Sequence, residues 1–351
     1  MSVKKFYGVI GNPPYQEETE GNGRDTPIYP DFMSESYKVA ERVELITPAR
    51  FLFNAGQARQ TNAAWIEEML SDKHLKVLEY EPDATKVFAA TDIKGGVAVT
   101  IRNESKDYGA IHVFTAYPEL NSIVAKVLDL EGAAPRLDSI FGSQRLYKLS
   151  DAFFNEFGND ENVQNNMSSG TRTKIVSSFV EKMPHVFIGR DKPNKDEVRF
   201  LSRIGGKREW RCVKRAFLKD NDYIDAYKLY IPEANNSGVF GETLSDVVVG
   251  RPGEATSDTF LNAGPFNTEE EASNLAKYYR TKFFRALLGV KKVTQHSPSI
   301  VWETIPLQDF TTNSDIDWSK SIPEIDKQLY KKYGLSDDEI EFIETHVKEM
   351  A

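Results

Sequence analysis

Val9-Ile10-Gly11-Asn12-Pro13-Pro14-Tyr15 is the stretch on which the reading of this chain turns. Phe6 to Ile10 is a short apolar run that predicts a buried strand, and Gly11-Asn12 ends it. Proline has no backbone N–H and holds φ at about −65°, so Pro13-Pro14 stops the strand and stiffens the backbone leading into Tyr15. An asparagine side chain and a prolyl carbonyl then stand fixed at the carboxyl end of a strand. In open α/β sheets that edge binds ligands. Asn12 and Pro13 supply two acceptors, a pair able to hold an exocyclic amino group while its lone pair turns toward an electrophile. Tyr15 offers a flat face to the ring bearing that amine, and such stacking is worth roughly 1–3 kcal/mol per base. A pocket of this kind suits direct methyl transfer to nitrogen without a covalent enzyme intermediate. The same residues also make an ordinary strand-ending Asn-Pro turn, so the surroundings must decide.

Outward from Tyr15, Gln16 to Asp25 is polar and glycine-bearing and predicts a loop over the proposed pocket. Pro27 to Ala40 predicts a helix with Ile28, Phe32, Tyr37 and Ala40 as its apolar positions. Glu41 to Pro48 predicts a second strand, Ala63 to Leu70 a helix and Leu75 to Tyr80 a third strand. Asp92-Ile93-Lys94-Gly95-Gly96 then turns into a fourth, Val97 to Asn103. Alternating strands and helices predict parallel crossover units with helices on both faces, and the short link before the last strand predicts an antiparallel neighbour.

With these elements in order, the first 105 or so residues resemble the catalytic half of DNA adenine-N6 methyltransferases, in particular the Eco57I-type methylases of restriction–modification systems. The resemblance rests on Val9 to Gln16, Thr26-Pro27-Ile28-Tyr29, Ile46-Thr47-Pro48-Ala49-Arg50-Phe51, and Val87-Phe88 ahead of Asp92 to Val97. It implies a catalytic set of Asn12, Pro13, Pro14 and Tyr15. Asn12 and Pro13 would hold the adenine amino group, Tyr15 would stack on the flipped base, and Phe88 would close the base's other face. It also implies S-adenosyl-L-methionine as donor, with Phe32 as an apolar wall for its adenine, and double-stranded DNA as substrate. Core packing is the plain alternative for Phe32 and Phe88.

The resemblance also carries a departure. The family's donor site rests on a glycine-rich turn after a first strand and an acid after a second, normally upstream of the catalytic loop. Here eleven residues precede Asn12, and no later glycine pair has the strand–turn–helix setting. The expected fold class is therefore α/β, a partial doubly wound (Rossmann-like methyltransferase) sheet with a second α+β domain and a helical C-terminal tail. A partner chain supplying the donor-binding half, truncation of a longer enzyme and loss of donor binding would each account for this, and a split or truncated enzyme is expected. Pro82-Asp83 with Asp92-Ile93-Lys94 imitates the carboxylate–carboxylate–lysine set of Mg²⁺ nucleases, a competing reading that explains less of its surroundings.

The expected boundaries are 1–132 for the catalytic half, 133–265 for target recognition and 266–351 for a helical region. The chain's 351 residues, 40% hydrophobic and 28% charged, are ordinary for a globular protein, and no apolar run approaches the roughly 18–20 residues of a membrane span. The start lacks a secretory pattern, so cytoplasm is expected. Cys212 is the lone cysteine and five scattered histidines show no ligand spacing, so no metal is expected. Net charge is −9, yet Thr171 to Asp220 holds fourteen Lys/Arg against six Asp/Glu. That basic island, with a lysine pair further on, nominates Arg190, Lys207, Arg208, Arg211, Lys214, Arg215, Lys291 and Lys292 for DNA contact, against the alternative that these cations pair with acids. Pro184 to Arg190 and Tyr227 to Ile231 predict strands, Asn155 to Gly170 a loop, and Thr268 to Leu288 one helix. Ser336-Asp337-Asp338-Glu339 predicts a capping box on the last helix. Two other functions stay open: methylation of amino groups in RNA or protein glutamine, and a non-catalytic DNA-binding specificity subunit.

Overall fold

Strand β1 (Phe6–Gly11) lies parallel to β4 (Ala40–Pro48), with Val9 opposite Val43 and Gly11 opposite Leu45. This is seen in a computed structural model that describes residues 5–17, 26–53, 57–88, 93, 95–132, 134–143, 145–292 and 295–350. Contacts divide the chain into two units, Met1–Ala125 and Lys126–Ala351. Between β1 and β4 come a two-residue ladder of β2 (Gln16–Glu17) with β3 (Thr26–Pro27) and helix α1 (Tyr29–Val39). Residues 18–25 of the expected loop lie outside the described residues. Helix α2 (Gln57–Ser71), strand β5 (Leu75–Glu81) and strand β6 (Val97–Asn103) come next, and the sheet order is β1-β4-β6-β5. β6 runs antiparallel to both β4 and β5, so it is inserted between two strands that point the same way. Among the described residues the link from β5 to β6 holds one short turn (Ala84–Lys86) and no helix that could make a crossover, and the chain turns back into the sheet beside its own predecessor.

Alternation along β4 and β6 sorts side chains onto two faces. Val43, Leu45 and Ala98 join Tyr29, Met33, Tyr37, Phe51, Ile66 and Leu70 in one cluster. Ile46 and Val97 point the other way, into a smaller cluster with Tyr15, Ala84, Phe88 and Ile93. The buried stripe of α1 is Tyr29, Met33 and Tyr37, one residue out of phase with the stripe expected through Ile28 and Phe32. The helix starts later than expected, with Pro30 in its first turn, because Pro27 is taken by β3.

Among the described residues β1 pairs only with β4. Its apolar residues do not stop at the covered face: Tyr7 is 69% and Ile10 84% exposed. A strand apolar on both faces belongs inside a parallel sheet, yet this one stands at an edge.

In the second unit, helix α3 (Pro118–Glu131), which spans the division, leads toward short helices α4 (Asp151–Phe157), α5 (Glu161–Asn166) and α6 (Ser177–Lys182). The loop expected over Asn155 to Gly170 is thus largely helical. Ser150 and Asp160 cap α4 and α5, and Phe153 and Val163 anchor them in the core. The strand expected at Pro184 to Arg190 is reduced to one bridge at Ile188, since consecutive Val186 and Phe187 are both buried and cannot alternate. A hairpin of β7 (Glu197–Ile204) and β8 (Lys207–Lys214) carries the middle of the basic island. Strands β9 (Tyr227–Pro232), β10 (Val248–Gly250) and β12 (Phe260–Phe266) make a second sheet, while β11 (Glu254–Thr256) lies parallel to β7.

The single helix expected from Thr268 breaks into α7 (Glu269–Arg280) and α8 (Lys282–Lys291), because Thr281 leaves helical geometry and caps α8 through Phe284 N–H. Helices α9 (Ile322–Lys332) and α10 (Asp337–His346) close the unit, the latter with the expected capping box at Ser336 and Glu339. Buried Asp326 of α9 accepts the first two N–H groups of α8, from Lys282 at 3.0 Å and Phe283 at 2.9 Å. Desolvation outweighs those bonds and pushes its carboxyl up to about 6. A carboxyl raised in the folded state binds its proton more tightly there than in the unfolded chain. Its contribution is therefore complete below about pH 4 and is lost as pH rises through about 6. Asp326→Ala strips two acceptors from a helix start and is expected to cost about 2–3 kcal/mol at pH 4. Urea unfolding of wild type and variant from pH 4 to 7 checks this: the gap between them should narrow across that range.

Candidate active site

Asn12 to Tyr15 leave the carboxyl end of β1 beside the end of β4. Asn12 and Pro14 are exposed, whereas Pro13 and Tyr15 are half-buried. The Tyr15 carbonyl accepts the Ile28 N–H at 3.1 Å, which ties the Asn-Pro-Pro-Tyr segment to the start of α1. The Tyr15 ring packs with Ile46, Val97, Ile93 and Ala84, and Phe88 reaches the same place from the other side of β5 in sequence.

Tyr15 and Phe88 lie 6.2 Å apart between centroids, at 70°. They are therefore in direct edge-to-face contact. A base clamped by two aromatic faces needs those faces parallel and separated by its own thickness, so this arrangement is closed to one. Entry of a base requires one ring to turn. The Tyr15 hydroxyl is buried with no hydrogen-bond partner among the described residues, and burial pushes it up to about 12. It stays protonated at any working pH, so the ring rather than the oxygen is the useful part of this residue.

Gly96 shapes the floor of the corner. It has φ +74°, donates its N–H to Ile93 and accepts from Ala49. A methyl group there would overlap the Glu81 carbonyl oxygen and sit 2.7 Å from Pro82 Cα. Asp83 caps the turn that leads to Phe88: its carboxylate accepts from the Thr85 N–H at 3.1 Å and the Thr85 hydroxyl at 2.6 Å, which holds it below the usual carboxylate range. Its partners in the nuclease reading, Asp92 and Lys94, lie outside the described residues. Among the described residues no cluster of three acidic, histidine or cysteine side chains could hold a metal. Phe32 does not pack in the core: it is 44% exposed on α1.

The nominated DNA-contacting cations separate into distinct environments. Arg190 pairs with Glu197, Arg211 with Glu209 at 2.7 Å, and Arg215 with Asp220 and Asp225 at 3.0 and 2.9 Å. Lys214 stands 3.8 Å from Glu156, and Lys291 is 2.9 Å from Glu303. Lys292 is only 4% exposed, donates to the Asn235 carbonyl at 2.6 Å and faces Glu242 at 3.5 Å. The expectation that Lys292 meets a phosphate is corrected: it is an interior lysine. Lys207 and Arg208 sit at the exposed end of the β7–β8 hairpin. Arg203, opposite Arg208, is the cation that sequence reading passes over, although a Gly-Gly pair flanked by basic residues is its signal.

Residues 1–88 match the model of the Eco57I restriction-modification methylase family. Two solved structures are similar at low level. The type IIG restriction endonuclease BpuSI is 8% identical with a TM-score of 0.30, over 93% of this chain and 50% of that one. The type IIL restriction-modification enzyme MmeI, solved in complex with DNA, is 10% identical with a TM-score of 0.32, over 97% of this chain and 56% of that one. The chain thus spans about half the length of each. No curated protein matches it. Among the described residues no helix is long and apolar enough to cross a membrane.

Proposed function

We propose that this chain is part of a site-specific DNA methyltransferase that moves a methyl group from S-adenosyl-L-methionine to the N6 amino group of adenine in a restriction–modification system. The observation that supports it most is the Asn12-Pro13-Pro14-Tyr15 segment at the carboxyl end of a parallel strand, with Phe88 at its ring, inside the stretch that matches a methylase family. Adenine's amino group is unreachable while stacked, so the base is rotated out of the duplex. Asn12 and the Pro13 carbonyl would accept its two N–H bonds and turn the nitrogen lone pair outward, and the donor, when bound, would supply an electrophilic methyl group there. Tyr15 stacks on the base once its contact with Phe88 opens.

The donor's adenine fits the exposed ring of Phe32 on α1, but the glycine turn and the acid that hold the rest of the donor come from a partner segment. The open, apolar edge of β1 is the place for it to pair, since Tyr7 and Ile10 become covered when a strand and its helices join there. The target-recognition role falls to the second unit. Edge-on packing of Tyr15 against Phe88 favours one other reading, a DNA-binding specificity subunit whose methylase half is vestigial.

Calorimetry and transfer assays separate the two. The chain with its partner segment is expected to bind S-adenosylmethionine and to label duplex adenine at N6, while the chain alone holds duplex without binding the donor. Duplex binding with no donor binding in any assembly moves the assignment to the specificity subunit.

A further inference from the structure

The basic island is not one surface. Along the body of the β7–β8 hairpin its arginines are spent on acids: Arg190 on Glu197, Arg199 on Glu254 at 2.9 Å, Arg211 on Glu209 and Arg215 on Asp220 and Asp225. Pairing stops at the tip. There Arg203 stands directly opposite Arg208 in the ladder, and Ile204 opposite Lys207. Like charges facing each other across a rung destabilise a hairpin, and among the described residues no carboxylate bonds to either guanidinium. An anion lying across the rung removes that repulsion.

Both guanidiniums are held in place by neutral groups. Arg203 Nε donates to the Gly206 carbonyl at 3.1 Å, and an Arg208 terminal nitrogen donates to the Asp246 carbonyl at 2.7 Å. Arg208 also lies over the Phe260 ring, 5.6 Å from its centroid. Both arginines line one cavity of about 220 Å³ with Gly206, Thr259 and Phe260. Glu233 lines it too, but its carboxylate is engaged by His296 at 3.0 Å. Two pre-oriented guanidinium forks suit a phosphate, which accepts paired N–H bonds.

The outer side of the turn is open. Gly205 and Gly206, at φ +54° and +80°, make a two-residue turn with both central residues left-handed, and a methyl group on either would touch nothing within 4 Å. The Gly205 N–H is tied to Glu181 of α6 at 2.5 Å, which fixes the turn from behind. A two-stranded ribbon is one of the shapes that the major groove of B-DNA admits.

Building on the DNA-methyltransferase reading, we propose that the tip of the β7–β8 hairpin is the element of the second unit that enters a groove of duplex DNA. Arg203 and Arg208 straddle one backbone phosphate and Lys207 meets the next. The paired arginines of the island hold the unit together and touch no DNA.

The test is duplex binding by fluorescence anisotropy across a salt series, with the full chain. Each neutralised phosphate contributes about −0.9 to the slope of log K against log salt, so Arg203→Gln/Lys207→Gln/Arg208→Gln is expected to flatten the slope by about 2 and to weaken binding alike on unrelated sequences. Lys192→Gln/Lys195→Gln/Lys219→Gln removes the same formal charge from exposed positions toward the opposite end of the hairpin, roughly 23 Å away at strand rise, and is expected to leave the slope as in wild type. An unchanged slope in the tip variant, or a flattened one in the control, overturns the hairpin assignment while the methyltransferase reading stands. Absence of duplex binding by the wild-type chain overturns both.

Discussion

Asn12→Ala is expected to hold duplex DNA within about twofold of wild type and to lose methyl transfer by roughly 10³-fold, the scale seen when one preorganised polar group is removed from a reacting centre. Asn12 is exposed and sits in the stretch that matches the methylase family, away in sequence from the cations proposed to meet DNA, so on that proposal truncation takes an acceptor from the amine and nothing from the phosphates. Loss of the acceptor leaves one N–H of the amine unpaired and its nitrogen free to stay conjugated with the ring, which makes it a poor nucleophile. Asn12→Asp retains an acceptor oxygen and is expected to recover part of the rate. The measurement is single-turnover transfer from labelled S-adenosylmethionine in the assembly that binds the donor, beside anisotropy on the same duplex. Transfer at the wild-type rate by Asn12→Ala would falsify the assignment of this corner.

The corner is legible in sequence because its signals are local. Strand, Gly-Asn and Pro-Pro are neighbours, and their φ restrictions act within a few residues. All four strands of the first sheet are likewise readable from apolar runs bounded by Gly11-Asn12, Pro48, Pro82 or Gly95-Gly96. Sheet order is not, because nothing in the β6 run states that it inserts between β4 and β5. The α1 stripe comes out one residue late for a similar reason: Phe32 and Met33 are equally apolar, and only the angle of the helix on β4 selects Met33.

The second unit hides more. Formal charge adds along a chain, whereas neutralisation happens in space. Arg199 and Glu254 lie far apart in sequence and meet because β11 lies beside β7. The whole β7–β8 hairpin escapes sequence reading on these grounds, since half-buried arginines occupy positions that read as solvent. Lys228 makes the same point within β9. It is fully buried, and its ammonium donates to the carbonyls of Ile224, Ala226 and Arg251 at 3.3, 3.0 and 2.7 Å. A lysine whose acceptors are backbone carbonyls carries no sequence signature.

Gly96→Ala is expected to destabilise the first unit by about 3 kcal/mol or more, whereas Gly95→Ala costs about 1 kcal/mol. Both glycines are left-handed, with φ of +90° at Gly95 and +74° at Gly96, so both alanines bear the conformational penalty. Their surroundings differ. A methyl group at Gly95 meets Arg50 Cβ at 3.6 Å, an ordinary contact. At Gly96 it collides with backbone, the Glu81 carbonyl and Pro82 Cα, which cannot move aside without carrying the end of β5 with it. The same displacement pulls on the Ala49 N–H bonded to the Gly96 carbonyl and on the Ile93 carbonyl that accepts the Gly96 N–H. Ile93 packs against Phe88 and Tyr15, so the strain reaches the corner proposed to hold the base. Hydrogen exchange on the full chain is the suitable measurement, because it reports each unit separately. Gly96→Ala should lose protection in β5 and β6 and keep it in β9 and β12, and methyl transfer by the donor-bound assembly should fall with it. Equal costs for the two alanines would show that the β5 end yields freely and that Gly96 does not brace the site.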